Sequence, residues 1–362
     1  MIKLKTEVLR NMLNKAVKVC SFNNMLPLTS LVEIETNEKG LSVKTTDNIT
    51  TFIITEAIEG LAPARVVVDA NIIAALVNKI TTEEIELIIS DAALTITGNG
   101  VYNLEIRVDE SGEVVKLPTI DQELINSANK EFDFKGITDR LKVCRPAIPE
   151  TDDQKEFNNY YLKDIVLATN VYKISAIKNI DAMVGEELFI PAEFGKILIE
   201  LDYAKANYIR KEKSLVIVGE NFVLSTTMYG EFDKFPLEDI KGAIGQQYKY
   251  SAVIKKKDLS SLLDRLTLFV AAYDGGSVDF IFTPNGLKVT NQKKTCDENI
   301  EYVNKNISDL VELPCIINIE YFKAQLDVLP SEEIEFKFGG SETSLAMIDG
   351  AITQVVALLG EE

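Results

Sequence analysis

The chain contains no histidine in its 362 residues, which removes both the commonest general base and the commonest metal ligand. Its four cysteines, Cys20, Cys144, Cys296 and Cys315, form no CxxC pair. Neither a zinc site nor a redox motif is indicated, and free buried thiols are the plain reading. No GxxxxGKS/T loop, strand-linked GxGxxG or GxSxG elbow occurs, so the usual phosphate cradles and nucleophile turns are missing. Apolar runs stop far short of the roughly 20 residues that span a bilayer. The N-terminus, MIKLKTEVLRNMLNK, carries charge too often for a signal peptide. The expectation is a non-enzymatic, cytoplasmic protein with no metal, no cofactor and no membrane partner.

Acid and apolar residues are plentiful. The formal net charge is −18 and 46% of residues are hydrophobic, enough for well-developed cores in two or three domains. That charge argues against a general nucleic-acid coat, but it leaves room for a local basic surface. Paired carboxylates such as Asp152 and Asp153 keep a hydrolase in view as a competing reading, weakened by the missing histidine and nucleophile motifs.

Internal similarity organises the chain. TTEEIELIIS, from Thr81, and PSEEIEFKFG, from Pro330, share EEIE at a spacing of 249 residues. At the same offset VVVDANIIAALVNKI falls on CIINIEYFKAQLDVL, matching Asp69 with Asn318, Val77 with Leu326 and Ile80 with Leu329. A third copy, LFIPAEFGKILIELD, places Pro191 on Asp69 at an offset of 122. Each copy reads as a short strand ending at Asp, Pro or Asn, then a helix, then alternating strands. In VYNLEIRV, which follows the hairpin signal Asn99-Gly100, the residues Tyr102, Leu104, Ile106 and Val108 share one face. The other half of each copy also opens with a strand and a helix: IKLKTEVLRNMLNKAVKVC, FDFKGITDRLKVCRPAI and YSAVIKKKDLSSLLDRLTLF. The expected boundaries are 1–122, 123–244 and 245–362.

The first helices carry a basic bias. At about 100° per residue, Arg10, Asn14, Lys15 and Lys18 gather on one face, with Leu9, Met12, Leu13 and Ala16 opposite. Lys257, Ser261 and Arg265 line up likewise, whereas Lys255 and Lys256 fall at the strand-to-helix turn. In the middle copy Thr138, Lys142 and Arg145 lie together, and Arg140 belongs to the same helix. The three first helices sum to +6, and the second helices, with Lys79, Lys196 and Lys323, to −2. One such face is ordinarily just solvated. Three with the same bias suit a surface that meets phosphates without reading sequence.

Along essentially its full length the chain resembles the bacterial DNA sliding clamp, the β subunit of the replicative polymerase. The matching segments are LPLTSLVEIETNEKGLSVKTTD, NNYYL followed by LATNVYKISAI, FIPAEFGKIL, GEFDKFP and GLKVTNQ. The resemblance implies an α+β fold of three clamp-type domains, each with two helices packed on antiparallel sheets. It also implies a head-to-tail homodimeric ring around double-stranded DNA, helices inside and sheets outside. DNA polymerase and the clamp loader would dock short apolar peptides in a groove formed by Leu162, Thr169, Tyr172, Ile174, Pro236, Ile240, Val355 and Ala357. The ring interface would join the strand bearing Tyr102 and Leu104 to the helix end bearing Phe269 and Val270. The alternative is a monomeric clamp-fold scaffold for protein partners that does not encircle DNA.

Several positions depart from the family pattern. TNVYK stands where Thr-Asp-Gly-His-Arg is usual, so Tyr172 replaces a groove histidine. The hairpin between Leu162 and Thr169 is short, VVALLGEE lacks the common Met-Pro-Met ending, and SFNNML carries asparagines where a DNA-contacting arginine is common. Such divergence fits a phage or another mobile element.

Overall fold

Each repeat begins where a strand runs straight into a helix, and the joint residue caps it. The Asp69 carboxylate accepts the Ile72 amide at 2.9 Å and the Asn318 side chain accepts that of Tyr321 at 3.0 Å, satisfying amides that have no partner within the helix. Lys5 and Lys255 begin the matching first helices without a side-chain cap, and Glu7 and Asp258 complement the helix dipole in the first turn.

The structure, a computed structural model, describes residues 2–21, 26–90, 92–150, 155–178, 184–228, 234–270, 276–340 and 344–360. Asp152, Asp153 and the asparagines of SFNNML lie outside these. The helices among the described residues are α1 (Thr6–Ala16), α2 (Ala70–Lys79), α3 (Gln122–Ser127), α4 (Phe134–Cys144), α5 (Ala192–Leu201), α6 (Leu237–Gly245), α7 (Lys256–Thr267) and α8 (Ile319–Asp327). None is long and apolar enough to cross a membrane.

Two compact units emerge: residues 1–135 with 196–229, and residues 136–195 with 230–362. The first has an eight-stranded sheet in the order β5 (Ala64–Asp69), β2 (Leu31–Asn37), β3 (Gly40–Thr46), β4 (Thr50–Glu56), β16 (Phe222–Thr227), β15 (Ser214–Val218), β14 (Ala206–Lys211), β9 (Lys130–Phe132). Its second sheet runs β1 (Ile2–Lys5), β6 (Glu84–Ile89), β7 (Ala93–Thr97), β8 (Val101–Glu105). The other unit has a nine-stranded sheet: β13 (Leu188–Pro191), β10 (Asn159–Leu162), β11 (Ile165–Thr169), β12 (Lys173–Lys178), β25 (Ile352–Ala357), β24 (Ser344–Asp349), β23 (Glu333–Gly340), β17 (Tyr248–Lys255), β21 (Asn304–Asn306). Its four-stranded sheet runs β20 (Asp297–Ile300), β19 (Leu287–Asn291), β18 (Ser277–Phe282), β22 (Leu313–Asn318).

These orders contain one motif three times. The quartets β5-β2-β3-β4, β13-β10-β11-β12 and β22-β18-β19-β20 are equivalent, as are β1-β6-β7-β8, β9-β14-β15-β16 and β17-β23-β24-β25. The long sheets arise because the last strand of one quartet type pairs with the last strand of the other type in the next copy. Thus β4 pairs with β16, Phe52 opposite Leu224, and β12 pairs with β25, Ile174 opposite Val355. The middle copy contributes one quartet to each unit.

The helices bury the faces that their sequence periodicity marked. Leu9, Met12, Leu13 and Ala16 of α1 are buried, with α1 packed on β3 and β4 beside α2. Leu259, Leu262, Leu263 and Leu266 of α7 join a core with Phe280, Phe322 and Phe336. Gly195 in α5 allows a close approach: a Cβ there would sit 2.5 Å from the Tyr160 ring.

Candidate functional site

The polar faces of α1 and α2 belong to one unit. Arg10 donates to the carbonyls of Val77 and Ile80, at 3.4 and 2.7 Å, closing the C-terminus of α2. Asn14 and Asn78 exchange amide hydrogen bonds at 3.1 and 2.8 Å between the two helices. Lys15 places its ammonium 4.0 Å above the Tyr203 ring, a cation–π contact. Burial lowers its pKa, and the Asp202 charge works in the opposite direction. Lys18 reaches Glu200 of α5 at 3.3 Å, while Lys79 is exposed and makes no ion pair to another described residue.

The other unit repeats the arrangement with different residues. Lys256 donates to the carbonyls of Asp327 and Leu329, at 2.9 and 2.5 Å. Leu329 is the residue that the repeat matches to Ile80, so the same C-terminal carbonyl is held by a cation in both copies. Sequence alone places Lys256 at the strand-to-helix turn and does not show this contact. Arg265 grips both carboxylate oxygens of Glu298 on β20. That hydrogen-bonded pair raises the arginine pKa and lowers that of Glu298. Lys323 of α8 pairs with Asp264 of α7 at 2.7 Å, and Lys142 with Asp139 at 3.1 Å. Arg140 donates to the Gly136 carbonyl at 3.1 Å. Lys196, Lys257 and Arg145 are exposed.

A second feature is a turn that occurs three times. In TTDNIT the Thr46 hydroxyl donates to the Thr50 carbonyl at 2.8 Å, and the Asp47 carboxylate accepts the amides of Ile49 and Thr50. In ATNVYK the Thr169 hydroxyl donates to the Lys173 carbonyl at 2.8 Å, and Asn170 accepts the amides of Tyr172 and Lys173. The third residue of the turn is left-handed in both, Asn48 at φ 79° and Val171 at φ 77°. In the third copy the Thr290 hydroxyl reaches the Cys296 carbonyl at 2.8 Å across a longer, polar turn.

The middle turn is the most apolar of the three. Val171 and Tyr172 are 56% and 53% exposed, whereas the first copy pairs polar Asn48 with one exposed apolar residue, Ile49, and the third presents Gln292, Lys293 and Lys294. The Ala357 amide donates to the Tyr172 carbonyl at 2.9 Å, and Ile174 lies opposite Val355. Helix α6, capped by Pro236, packs on β12, and its Ile240 is buried with Phe235, Tyr161 and Phe189. Tyr172, Ile174, Val355 and Ala357 thus stand side by side, next to the helix bearing Pro236 and Ile240. Leu162 and Thr169 are internal. Lys173, only 3% exposed, lies under this surface with its ammonium 4.1 Å from the Tyr321 ring, and burial lowers its pKa. Sequence reasoning missed Val171 and Lys173, although aligning TTDNIT with ATNVYK exposes both.

The third feature is a pair of strand edges. β8 and β20 end their sheets without a further partner strand among the described residues. On β8, Val101 is 67% exposed and Tyr102 half-buried, while Leu104 is in the core. At the end of α7, Leu268 and Phe269 are 83% and 53% exposed and Val270 is half-buried. Val101 and Leu268 were not singled out from sequence, because an exposed aliphatic residue has no pattern until its surroundings are known.

The family model described as the DNA polymerase III beta subunit, N-terminal domain, matches residues 1–123. The whole chain has the sliding-clamp fold. The Borrelia burgdorferi DNA polymerase III subunit beta is similar at TM-score 0.86 and 17% identity, over 99% of both chains. The beta subunit from Streptococcus pyogenes is similar at TM-score 0.84 and 14% identity, again over 99% of both. The Thermotoga maritima beta subunit reaches TM-score 0.84 at 16% identity, over 100% of this chain and 99% of its own. No curated protein sequence matches significantly. The clamp fold therefore persists here at an identity where sequence alone carries little.

Proposed function

We propose that this clamp-fold protein is a DNA polymerase processivity factor. It is a non-catalytic ring of two head-to-tail copies that encircles duplex DNA, slides on it and tethers replication proteins in the cytoplasm. The observation that carries this reading is the accounting of strand edges. Two junctions of one kind, β4 with β16 and β12 with β25, join successive copies within the chain, and they leave β8 and β20 as an unmatched pair of the same two kinds. An unpaired edge is a template for another strand. Joining β8 of one molecule to β20 of a second, twice, consumes every such edge and closes six copies, those of residues 1–122, 123–244 and 245–362, into a ring. Val101, Tyr102, Leu268, Phe269 and Val270 would be covered at that joint.

A closed ring holds DNA by linkage, so its contacts can be weak and independent of sequence. Lys79, Arg145, Lys196 and Lys257, with the paired cations Lys18, Lys142, Arg265 and Lys323, would face the phosphates. Arg10 and Lys15 support the same surface from beneath. Partner peptides from polymerase and clamp loader would lay apolar side chains against Val171, Tyr172, Ile174, Pro236 and Ala357, since that turn exposes two apolar residues where the first exposes one, Ile49, and the third is polar.

The deciding experiment loads the protein on nicked circular DNA and then linearises it. Retention on the circle and loss after cutting are expected, and equal loss from both forms overturns the reading. A strict monomer at micromolar concentration, in place of a particle near twice 40.3 kDa, would instead favour a scaffold that never encircles DNA.

A further inference from the structure

Three of the cations on the helices are not left waiting for phosphate. Lys18 lies 3.3 Å from Glu200, Lys323 lies 2.7 Å from Asp264, and Arg265 holds both oxygens of Glu298. Asp264 and Arg265 are neighbours on α7, so that one helix lends an acid to α8 and takes an acid from β20. All six side chains keep access to solvent, from 26% for Lys323 to 69% for Asp264. Exposed pairs of this kind are weak enough to exchange partners. They still impose a cost on binding, because a phosphate must displace the carboxylate and then tolerate its negative charge nearby.

We infer that Glu200, Asp264 and Glu298 are internal counterions that compete with DNA phosphates for Lys18, Lys323 and Arg265, and so keep duplex affinity low and the ring mobile. This rests on the processivity-clamp reading. A consequence follows for salt dependence. Each cation that neutralises a phosphate releases counterions worth about 0.9 in the slope of log affinity against log salt. A carboxylate left behind recruits a cation from solution and cancels part of that release. The native slope is therefore shallower than the number of helix cations implies.

The test compares two triple variants of the full-length protein on a short linear duplex, across a salt series. Glu200→Gln/Asp264→Asn/Glu298→Gln frees the three cations. Glu113→Gln/Glu131→Gln/Asp309→Asn changes net charge equally and also breaks three ion pairs, to Lys116, Lys205 and Lys249, none of whose residues lies in a helix. The first variant should bind about tenfold more tightly, each single change giving roughly 1.5- to 5-fold. Its salt slope should steepen by roughly 1 to 3, and it should diffuse more slowly along DNA, while the second variant stays within about twofold of the native protein. Equal tightening in both variants, or none in the first, overturns the inference, and with native retention on circular DNA intact the clamp reading survives. Loss of the native protein from circles as fast as from linear DNA brings down that reading, and this inference with it. The single variants guard against a triple variant that fails to fold.

Discussion

If β8 and β20 close a ring, the apolar residues beside them should set the dimer dissociation constant. Full burial of an aliphatic or aromatic side chain is worth about 1.5–3 kcal/mol, and the fraction still exposed here scales that figure. Leu268 at 83% exposure has about 2 kcal/mol left to gain, and Val101 at 67% and Phe269 at 53% about 1 kcal/mol each. Together they offer about 4 kcal/mol at each of the ring's two joints, or about 8 kcal/mol per dimer, an upper bound because an interface need not cover each residue fully. Changing Val101, Leu268 and Phe269 to Ala should therefore weaken the dimer by at least about 1,000-fold, the factor that half of this bound gives. The monomer fold should survive, since these side chains are already in water. Sedimentation velocity over a concentration series reads the constant, and urea unfolding at low concentration checks the fold. A dissociation constant within about threefold of the native value would refute the assignment. Charged residues at Tyr102 and Phe269 should go further and give monomers outright.

Reversing Lys15, Lys18, Lys257 and Arg265 to Glu should shorten retention on circular DNA by at least about tenfold without unfolding the protein; unchanged retention would count against a basic inner surface. Gln325 of α8 donates at 2.9 Å to both the Ile174 carbonyl and Gln354, within the β12–β25 junction. Gln325→Leu should cost about 1–3 kcal/mol in denaturant unfolding by leaving buried acceptors without a donor, and no change would show that the junction's polar network contributes nothing net. Burial raises the Cys20 and Cys315 thiols from 9.0 to about 12. As pH climbs past 9.0 the unfolded chain releases these protons while the native state keeps them, so stability is unaffected below that point and falls between about pH 9 and 12. At pH 10 the loss should be about 1 kcal/mol per thiol, and it should vanish in a Cys20→Ser/Cys315→Ser variant; equal loss in that variant would assign the effect to other groups.

Much of the molecule was legible in the chain. The repeat at offset 249 placed Asp69 and Asn318 as caps, and helical periodicity separated Leu259, Leu262, Leu263 and Leu266 from the charges, because caps and amphipathic faces are local consequences of residue order. The apolar surface around Tyr172 was legible only in part. Tyr172, Ile174, Val355 and Ala357 meet because two strands about 180 residues apart in sequence pair in one register, and no local pattern encodes a register between distant strands.

Sequence by itself determined three copies of a unit with two helices and many strands, free thiols, and a basic bias on the first helices, since each follows from composition or short-range periodicity. Tertiary structure decided which cations are spent. Arg10 and Lys256 close the ends of neighbouring helices, while Lys18, Lys323 and Arg265 are held by acids drawn from other elements. It also decided that the middle copy is divided between two continuous sheets, leaving β8 and β20 open. The reason is common to all of these: hydrogen bonds and ion pairs depend on distance in space, and the chain order fixes that distance only once distant strands have paired.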